Sequence, residues 1–289
     1  MRGRLLLAVG GATVLLTLAL RRTTRLDLRG KAVVVAGGSR GLGLVLAREL
    51  ARRGAVLTLL ARDLGELERA RADLLARGAE AVTIIACDVT DQTSVRAAVD
   101  GALAVNGRVD ILFNCAGDIE VGPLESMRKS DFERAMSTNF WGAVHLAEAV
   151  VPSMRAQGGG RIVNVSSIGG VLAVPHLLPY VASKFALTGL SLGMRAELAK
   201  DRIVVTTVCP GLMRTGSPPR ALFKGDRAAE YAWFAACDSL PLLSMSAEGA
   251  ARRIVRAAGR GRAMVLLGAP AKIAARAQVL FPGLVAAAM

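Results

Sequence analysis

The sequence predicts an α/β fold: one domain built on a doubly wound parallel sheet with helices on both faces. Short β-branched runs alternate with helical segments of roughly ten to twenty residues, the pattern of strand–helix–strand units. Of 289 residues, 53% are hydrophobic and only 4% aromatic, so the core has to be built from aliphatic side chains. Such a core suits a buried parallel sheet better than an aromatic-rich sandwich. Between residues 29 and 268 no linker, low-complexity stretch or repeat interrupts the alternation, and one domain accounts for that length.

Ahead of the first strand, residues 5–20 are apolar and uncharged, flanked by Arg2 and Arg4 and by Arg21, Arg22 and Arg25. A helix of this length reaches roughly 24 Å against a ~30 Å hydrocarbon core, a gap that snorkelling arginines or local thinning closes. A basic stretch follows the run instead of a small-residue cleavage site, which argues against a removed signal peptide. Residues 1–28 are therefore expected to be a hydrophobic membrane anchor with a basic linker; a buried core helix is the alternative. Equal basic counts on the two flanks leave the orientation open.

The net charge is +14, from 37 basic and 23 acidic residues. Residues 1–31 hold seven basic side chains and one acid, and residues 252–289 hold seven and none. The body between them is thus near neutral, whereas a nucleic-acid binder needs its charge on the folded body. Basic ends beside apolar segments point to an anionic membrane surface. The plain alternative is codon bias, since 31 of the 37 basic residues are arginine. Cys87, Cys115, Cys209 and Cys237 stand far apart, and His145 and His176 lack ligand spacing. Neither a disulfide framework nor a metal site is expected, and a reducing compartment fits.

The elements follow in order. Strands are expected at 32–36, 55–61, 82–87, 109–114, 161–165 and 203–209. After the first comes a turn containing Gly37, Ser39, Arg40, Gly41, Leu42 and Gly43, then a helix through Arg53. Its glycines permit a tight turn and close backbone approach to a pyrophosphate at a helix N-terminus. That makes the sheet Rossmann-type. The second strand ends Ala61-Arg62-Asp63. A ribose 2′-hydroxyl is usually met there by an acid, and a 2′-phosphate by a cation. Ala61 holds the position of the acid, while Arg62 and Arg40 offer guanidinium groups suited to phosphate. NADP(H) is therefore favoured over NAD(H). Asp63 either caps the next helix or competes as the ribose ligand.

Tyr180 and Lys184 lie one helical turn apart and face the same way. An ammonium beside a phenol lowers the phenol pKa, as a positive nicotinamide ring also does, and so makes it a usable acid–base at neutral pH. Residues 212–246 break the rhythm with turn residues and large apolar groups after a strand end, where such sheets bind ligands. They read as the substrate-covering segment. His176 sits between Ser167 and Tyr180, either lining the substrate pocket or in a structural role. His145 reads as core packing. Residues 269–289 mix apolar and basic side chains: an interfacial helix, a lid or an oligomer contact.

Taken together these blocks resemble the short-chain dehydrogenase/reductase family over roughly residues 30–265. Gly37, Gly41 and Gly43 match its glycine spacing. Cys87-Asp88-Val89 resembles its adenine-contacting turn. Asn114-Cys115-Ala116-Gly117 is similar to its NNAG motif, with Cys115 in place of the second Asn. Asn139, Ser167, Tyr180 and Lys184 match its catalytic tetrad. Pro210, Gly211 and Thr215 fall in a segment like the one that contacts the nicotinamide end. The resemblance implies a cofactor site from Gly37 to Gly43 with Arg62, Asp88, Val89, Asn114, Ala116, Gly117, Tyr180, Lys184, Pro210, Gly211 and Thr215. It also implies hydride transfer with Tyr180 as proton donor, Ser167 on the substrate oxygen in preference to Ser166, and Asn139 holding a water that relays protons to Lys184. Members commonly pair through the long helices that here include Asn139 and Tyr180, so a homodimer or homotetramer is expected. With the anchor and the apolar cover, the expected substrate is a small lipophilic ketone or alcohol, handled by a catalytic domain in the cytoplasm, where NADPH is. The alternatives are a 3-oxoacyl thioester reductase of the same fold and a cofactor-binding scaffold or sensor without turnover.

Overall fold

Seven strands form the sheet of the computed structural model, which describes residues 26–214, 220–239 and 244–288. They are β1 (Ala32–Ala36), β2 (Val56–Ala61), β3 (Val82–Ala86), β4 (Ile111–Asn114), β5 (Gly160–Val165), β6 (Ile203–Pro210) and β7 (Met264–Leu267). Their order is β7-β6-β5-β4-β1-β2-β3, and every neighbouring pair is parallel. From β1 the chain winds outward to β3 on one side, then returns to β4 and winds outward on the other. This reversal opens a crevice at the carboxyl ends of β1 and β4, the usual ligand position in such sheets. Strand β7 is absent from the sequence expectation.

The helices are α1 (Gly41–Ala51), α2 (Leu64–Ala76), α3 (Gln92–Asn106), α4 (Lys129–Met136), α5 (Gly142–Ala156), α6 (Leu178–Glu197), α7 (Arg227–Ser239), α8 (Ala247–Gly259), α9 (Ala269–Leu280) and α10 (Pro282–Ala288). Residues of α1, α2 and α8, among them Leu46, Leu50, Leu67 and Ile254, pack with Val33, Val35, Leu57 and Leu59. Residues of α3 and α5, among them Val95, Val99, Leu146 and Val150, pack with Val34, Ala36, Leu112 and Ile162. Successive residues of β1 thus serve opposite cores, because side chains alternate along a strand. With both faces covered, the strand needs no polar face and reads as continuous Ala-Val-Val-Val-Ala.

Asp63 caps α2, its side chain accepting from the Glu66 amide at 2.8 Å. Two short parallel pairings tie the covering segment to the carboxyl edge: Glu120–Val121 with Leu222–Phe223, and Met213–Arg214 with Met245–Ser246. Between them lies α7. At α9, Ala271 packs so close to Gly211 that a Cβ there would approach it to 2.9 Å. The expected anchor at residues 5–20 and Thr215 lie outside the described residues. Among the described residues no helix is long and apolar enough to cross a membrane.

Candidate active site

A cavity of about 670 Å³ occupies the crevice at the carboxyl edge. One wall is the glycine turn. Gly37 has φ +75°, and a Cβ on it would lie 2.8 Å from the Ala116 amide nitrogen. A Cβ on Gly43 would lie 2.0 Å from the Gly37 carbonyl oxygen. Both positions admit only hydrogen, which brings α1 and the Cys115–Ala116 backbone tight against the turn. The Arg40 side chain makes no capping bond to α1, so the amides of its first turn face the cavity unshielded by a cap. That cradle fits a dinucleotide pyrophosphate.

Arg40, Arg62, Asp63, Glu66 and Arg220 line the end of the cavity beside β2. Glu66 accepts from Ser39 Oγ at 3.0 Å and from Arg40 Nη1 at 3.2 Å, and Arg220 Nη1 lies 3.6 Å from the same carboxylate. Neither Glu66 nor Arg220 was singled out by the sequence. Glu66 is an ordinary first-turn acid of α2, and Arg220 belongs to the distant covering segment. On the adjoining wall Asp88 accepts from both the amide and the hydroxyl of Thr90, at 2.9 and 2.8 Å. His145 Nδ1 meets the Val89 carbonyl at 3.0 Å, so this histidine shapes the Asp88–Val89 turn besides packing.

Tyr180 and Lys184 stand at the other end, on the first two turns of α6, whose start is favoured by Pro179. Lys184 is buried at 5% exposure; its Nζ donates to the Val165 carbonyl at 3.1 Å and lies 5.6 Å from the centre of the Tyr180 ring. Ser167 follows β5 in extended backbone, its Oγ and the edge of the Tyr180 ring both flanking Gly169. Its Oγ also accepts from the Gly169 amide at 3.0 Å. Ser166 points the other way, into α6, where its hydroxyl donates to the Lys184 carbonyl at 3.0 Å and meets Thr188 Oγ1 at 2.8 Å. Of the two serines, Ser167 is the one beside the phenol ring, while Ser166 and not Ser167 is in the cavity lining.

Asn139 lies in a single π-turn, Ser137–Trp141, inserted between α4 and α5. Such an insertion widens the helix at functional sites. The Asn139 amide donates to the Asp118 carbonyl at 3.1 Å and to Ser183 Oγ at 2.9 Å, and its oxygen accepts from the Asp118 amide at 3.1 Å. The side chain thereby pins the Asp118 loop onto α6, with one lone pair of its oxygen still able to accept. Gly117 completes the junction: a Cβ there would lie 2.7 Å from Asn139 Oδ1 and 3.3 Å from Lys184 Nζ.

Electrostatics at this end differ from the sequence expectation. Burial pushes Tyr180 above the ordinary phenol value, against a pull downward from the Ser167 hydroxyl. Burial also lowers Lys184 to about 8. Removing water costs each group more in its charged form, and for the phenol that cost is the largest influence. At neutral pH the phenol keeps its proton, which makes it a donor. Burial raises Cys115 to about 12 and Cys209 to about 11, so both remain thiols.

Several expected site residues stand back from the cavity. Asn114 bonds Asn164 beneath it at 3.5 Å, and Gly211 turns toward α9, its amide donating to the Leu267 carbonyl at 2.9 Å. Pro210 ends β6, and Met213 lines the cavity in its place. His176 is not in the lining. It holds a left-handed backbone at φ +63°, places Nδ1 2.7 Å from Glu230 Oε1 and lies 5.7 Å from the Trp233 ring. It therefore clasps α7 to the loop before Tyr180. Around Tyr180 itself, Val121, Leu177, Val181 and Phe234 form an apolar cluster with Ile119, Val174, Ala221 and Phe223.

The family described as short chain dehydrogenase matches residues 31–220. A dehydrogenase/reductase SDR family protein 7-like of Anopheles gambiae is 39% identical over 212 residues, 72% of this chain and 67% of the relative. A short chain dehydrogenase/reductase of Burkholderia phymatum, solved in complex with NAD, matches with TM-score 0.83 at 26% identity over 90% of this chain and 96% of its own. An L-sorbose reductase of Gluconobacter frateurii, solved with NADPH and L-sorbose, matches with TM-score 0.74 at 27% identity, covering 84% of this chain and 97% of that one.

Proposed function

Since this chain belongs to the short chain dehydrogenase family, oxidoreductases of CH–OH and C=O groups, we propose that it interconverts a carbonyl and a secondary alcohol on a lipophilic substrate, with NADP(H) as cofactor. The observation that carries this reading is the Tyr180 phenol, with Ser167 beside its ring and apolar side chains around it at the end of the cavity. The cavity's glycine cradle fits a dinucleotide, and bound NADPH supplies the hydride that adds to the carbonyl carbon. Ser167 and Tyr180 hold the carbonyl oxygen, and Tyr180 gives it the proton. Lys184 holds positive charge beneath the phenolate left behind. Asn139 positions the floor on which both stand.

Preference for the 2′-phosphate rests on Ala61 at the strand end and on Arg40 and Arg62 in the lining. Of the two acids at this end, Asp63 caps α2 and Glu66 is already taken up by Ser39 and Arg40. Residues 5–20 hold the chain at a membrane in this reading, with the catalytic domain on the cytoplasmic side. Trp141, Phe185 and Leu192, exposed around α5 and α6, offer the surface for pairing of subunits.

Fluorescence titration with NADPH and then NADH tests the cofactor assignment. NADPH binding at least about tenfold tighter, or ~1.4 kcal/mol, is expected, and Arg62→Ala should erase most of the difference. Equal affinities would overturn the phosphate assignment, and binding of neither would leave a protein without turnover.

A further inference from the structure

Helices α9 and α10 carry an outward surface that no other element of the described residues covers. Ile273, Val279, Leu280, Phe281 and Leu284 are 57–80% exposed, whereas the inward face of α9 rests on Ala271 and Ala275. Burial of the small residues rather than the large ones is the reverse of what a core-facing helix does. Lys272 and Arg276 lie one turn apart on the exposed side. Within residues 249–289 there are seven basic side chains and no acid.

We infer that α9 and α10 lie flat in the headgroup layer of an anionic bilayer, burying this apolar face while Lys272 and Arg276 meet lipid phosphates. Charge selects this occupant over a second copy of the chain. Two such faces brought together would oppose cation to cation with no carboxylate of the segment to answer either. The twelve residues of α9 reach ~18 Å, too short for a ~30 Å core, so the helix lies on the membrane and does not cross it. Position adds a functional consequence. Helix α9 starts where β7 ends, on the carboxyl edge that also holds the cavity, and the covering segment there exposes Leu222, Tyr231 and Trp233. Docking would bring the mouth of the site toward the bilayer. Only that consequence rests on the lipophilic-substrate reading.

Hydrogen exchange of the full chain, with and without vesicles, tests the inference. Vesicles of phosphatidylcholine with phosphatidylglycerol should slow amide exchange within residues 269–288 about tenfold, the effect of ~1.4 kcal/mol of local stabilisation. Pure phosphatidylcholine should slow it far less, and the double variant Lys272→Glu, Arg276→Glu should lose the protection while still binding NADPH. Equal protection by both vesicles would overturn the anionic assignment. Protection without vesicles that grows with protein concentration would assign the face to a second copy. Vesicle binding with unchanged exchange at 269–288, or no vesicle binding, would also overturn it. Failure to turn over lipophilic ketones alongside lipid-dependent protection would fault the substrate reading alone.

Discussion

Tyr180 and Lys184 show how much a single environment changes ordinary side chains. Tyr180→Phe removes one oxygen from an apolar setting and should cut turnover by roughly 10²–10⁴-fold, the usual worth of a positioned acid. NADPH affinity, measured by titration, should stay within a factor of about two. Lys184 makes a different prediction, because its folded pKa of about 8 lies below the ordinary lysine value of 10.5. Below about 8 both folded and unfolded chains hold the proton, and the cost of burying the charge is fully present. From there toward 10.5 the folded chain has released its proton while the unfolded chain still binds one, so stability rises with pH. Lys184→Met should abolish that rise. The difference in urea midpoint between the two proteins at successive pH values isolates it. The resemblance to the family's motif made these two residues legible, since a Tyr and a Lys one turn apart are by themselves an ordinary surface pair, and the motif's spacing also ranked Ser167 above Ser166. The pairing of Arg220 with Glu66 was not legible, because it joins segments far apart in the chain and neither residue has a local signature.

Among the elements, strands with β-branched runs could be read directly. Strand β7 could not, because Met264-Val265-Leu266-Leu267 has one β-branched residue and suits a helix as well as a sheet edge. The π-turn at Asn139 was hidden for a different reason: an inserted residue leaves the hydrophobic period almost unchanged. In the covering segment, glycines and prolines pointed to irregular chain, yet α7 forms there from Ala-rich sequence. Its clasp is the His176–Glu230 pair. His176→Ala removes the partner of a carboxylate whose side chain is 10% exposed. It should loosen α7 by roughly 1–3 kcal/mol. The expected readings are faster proteolysis within residues 220–239 and a raised KM with kcat little changed. An unchanged cleavage pattern would mean that the segment is held by its two strand pairings alone.

At the level of the whole molecule, the alternation of strands and helices predicted the doubly wound sheet because every βαβ unit is local in sequence. The crevice between β1 and β4 is not local. It draws Gly37 from the first unit, Ala116 from the fourth strand's end, Tyr180 from α6 and Arg220 from the cover. A dinucleotide lying there touches parts of the chain that meet only when the sheet is complete, so it binds the folded form and not the unfolded one. At a free concentration about 100 times Kd, such a ligand adds ~2.7 kcal/mol. For a domain of this size that corresponds to a melting point higher by roughly 5–10 °C, which a thermal-shift assay with and without NADPH would read. The glycine cradle therefore links persistence to supply: in a cell short of the dinucleotide, oxidised or reduced, this chain would unfold and be cleared sooner, and its abundance would follow the size of that pool.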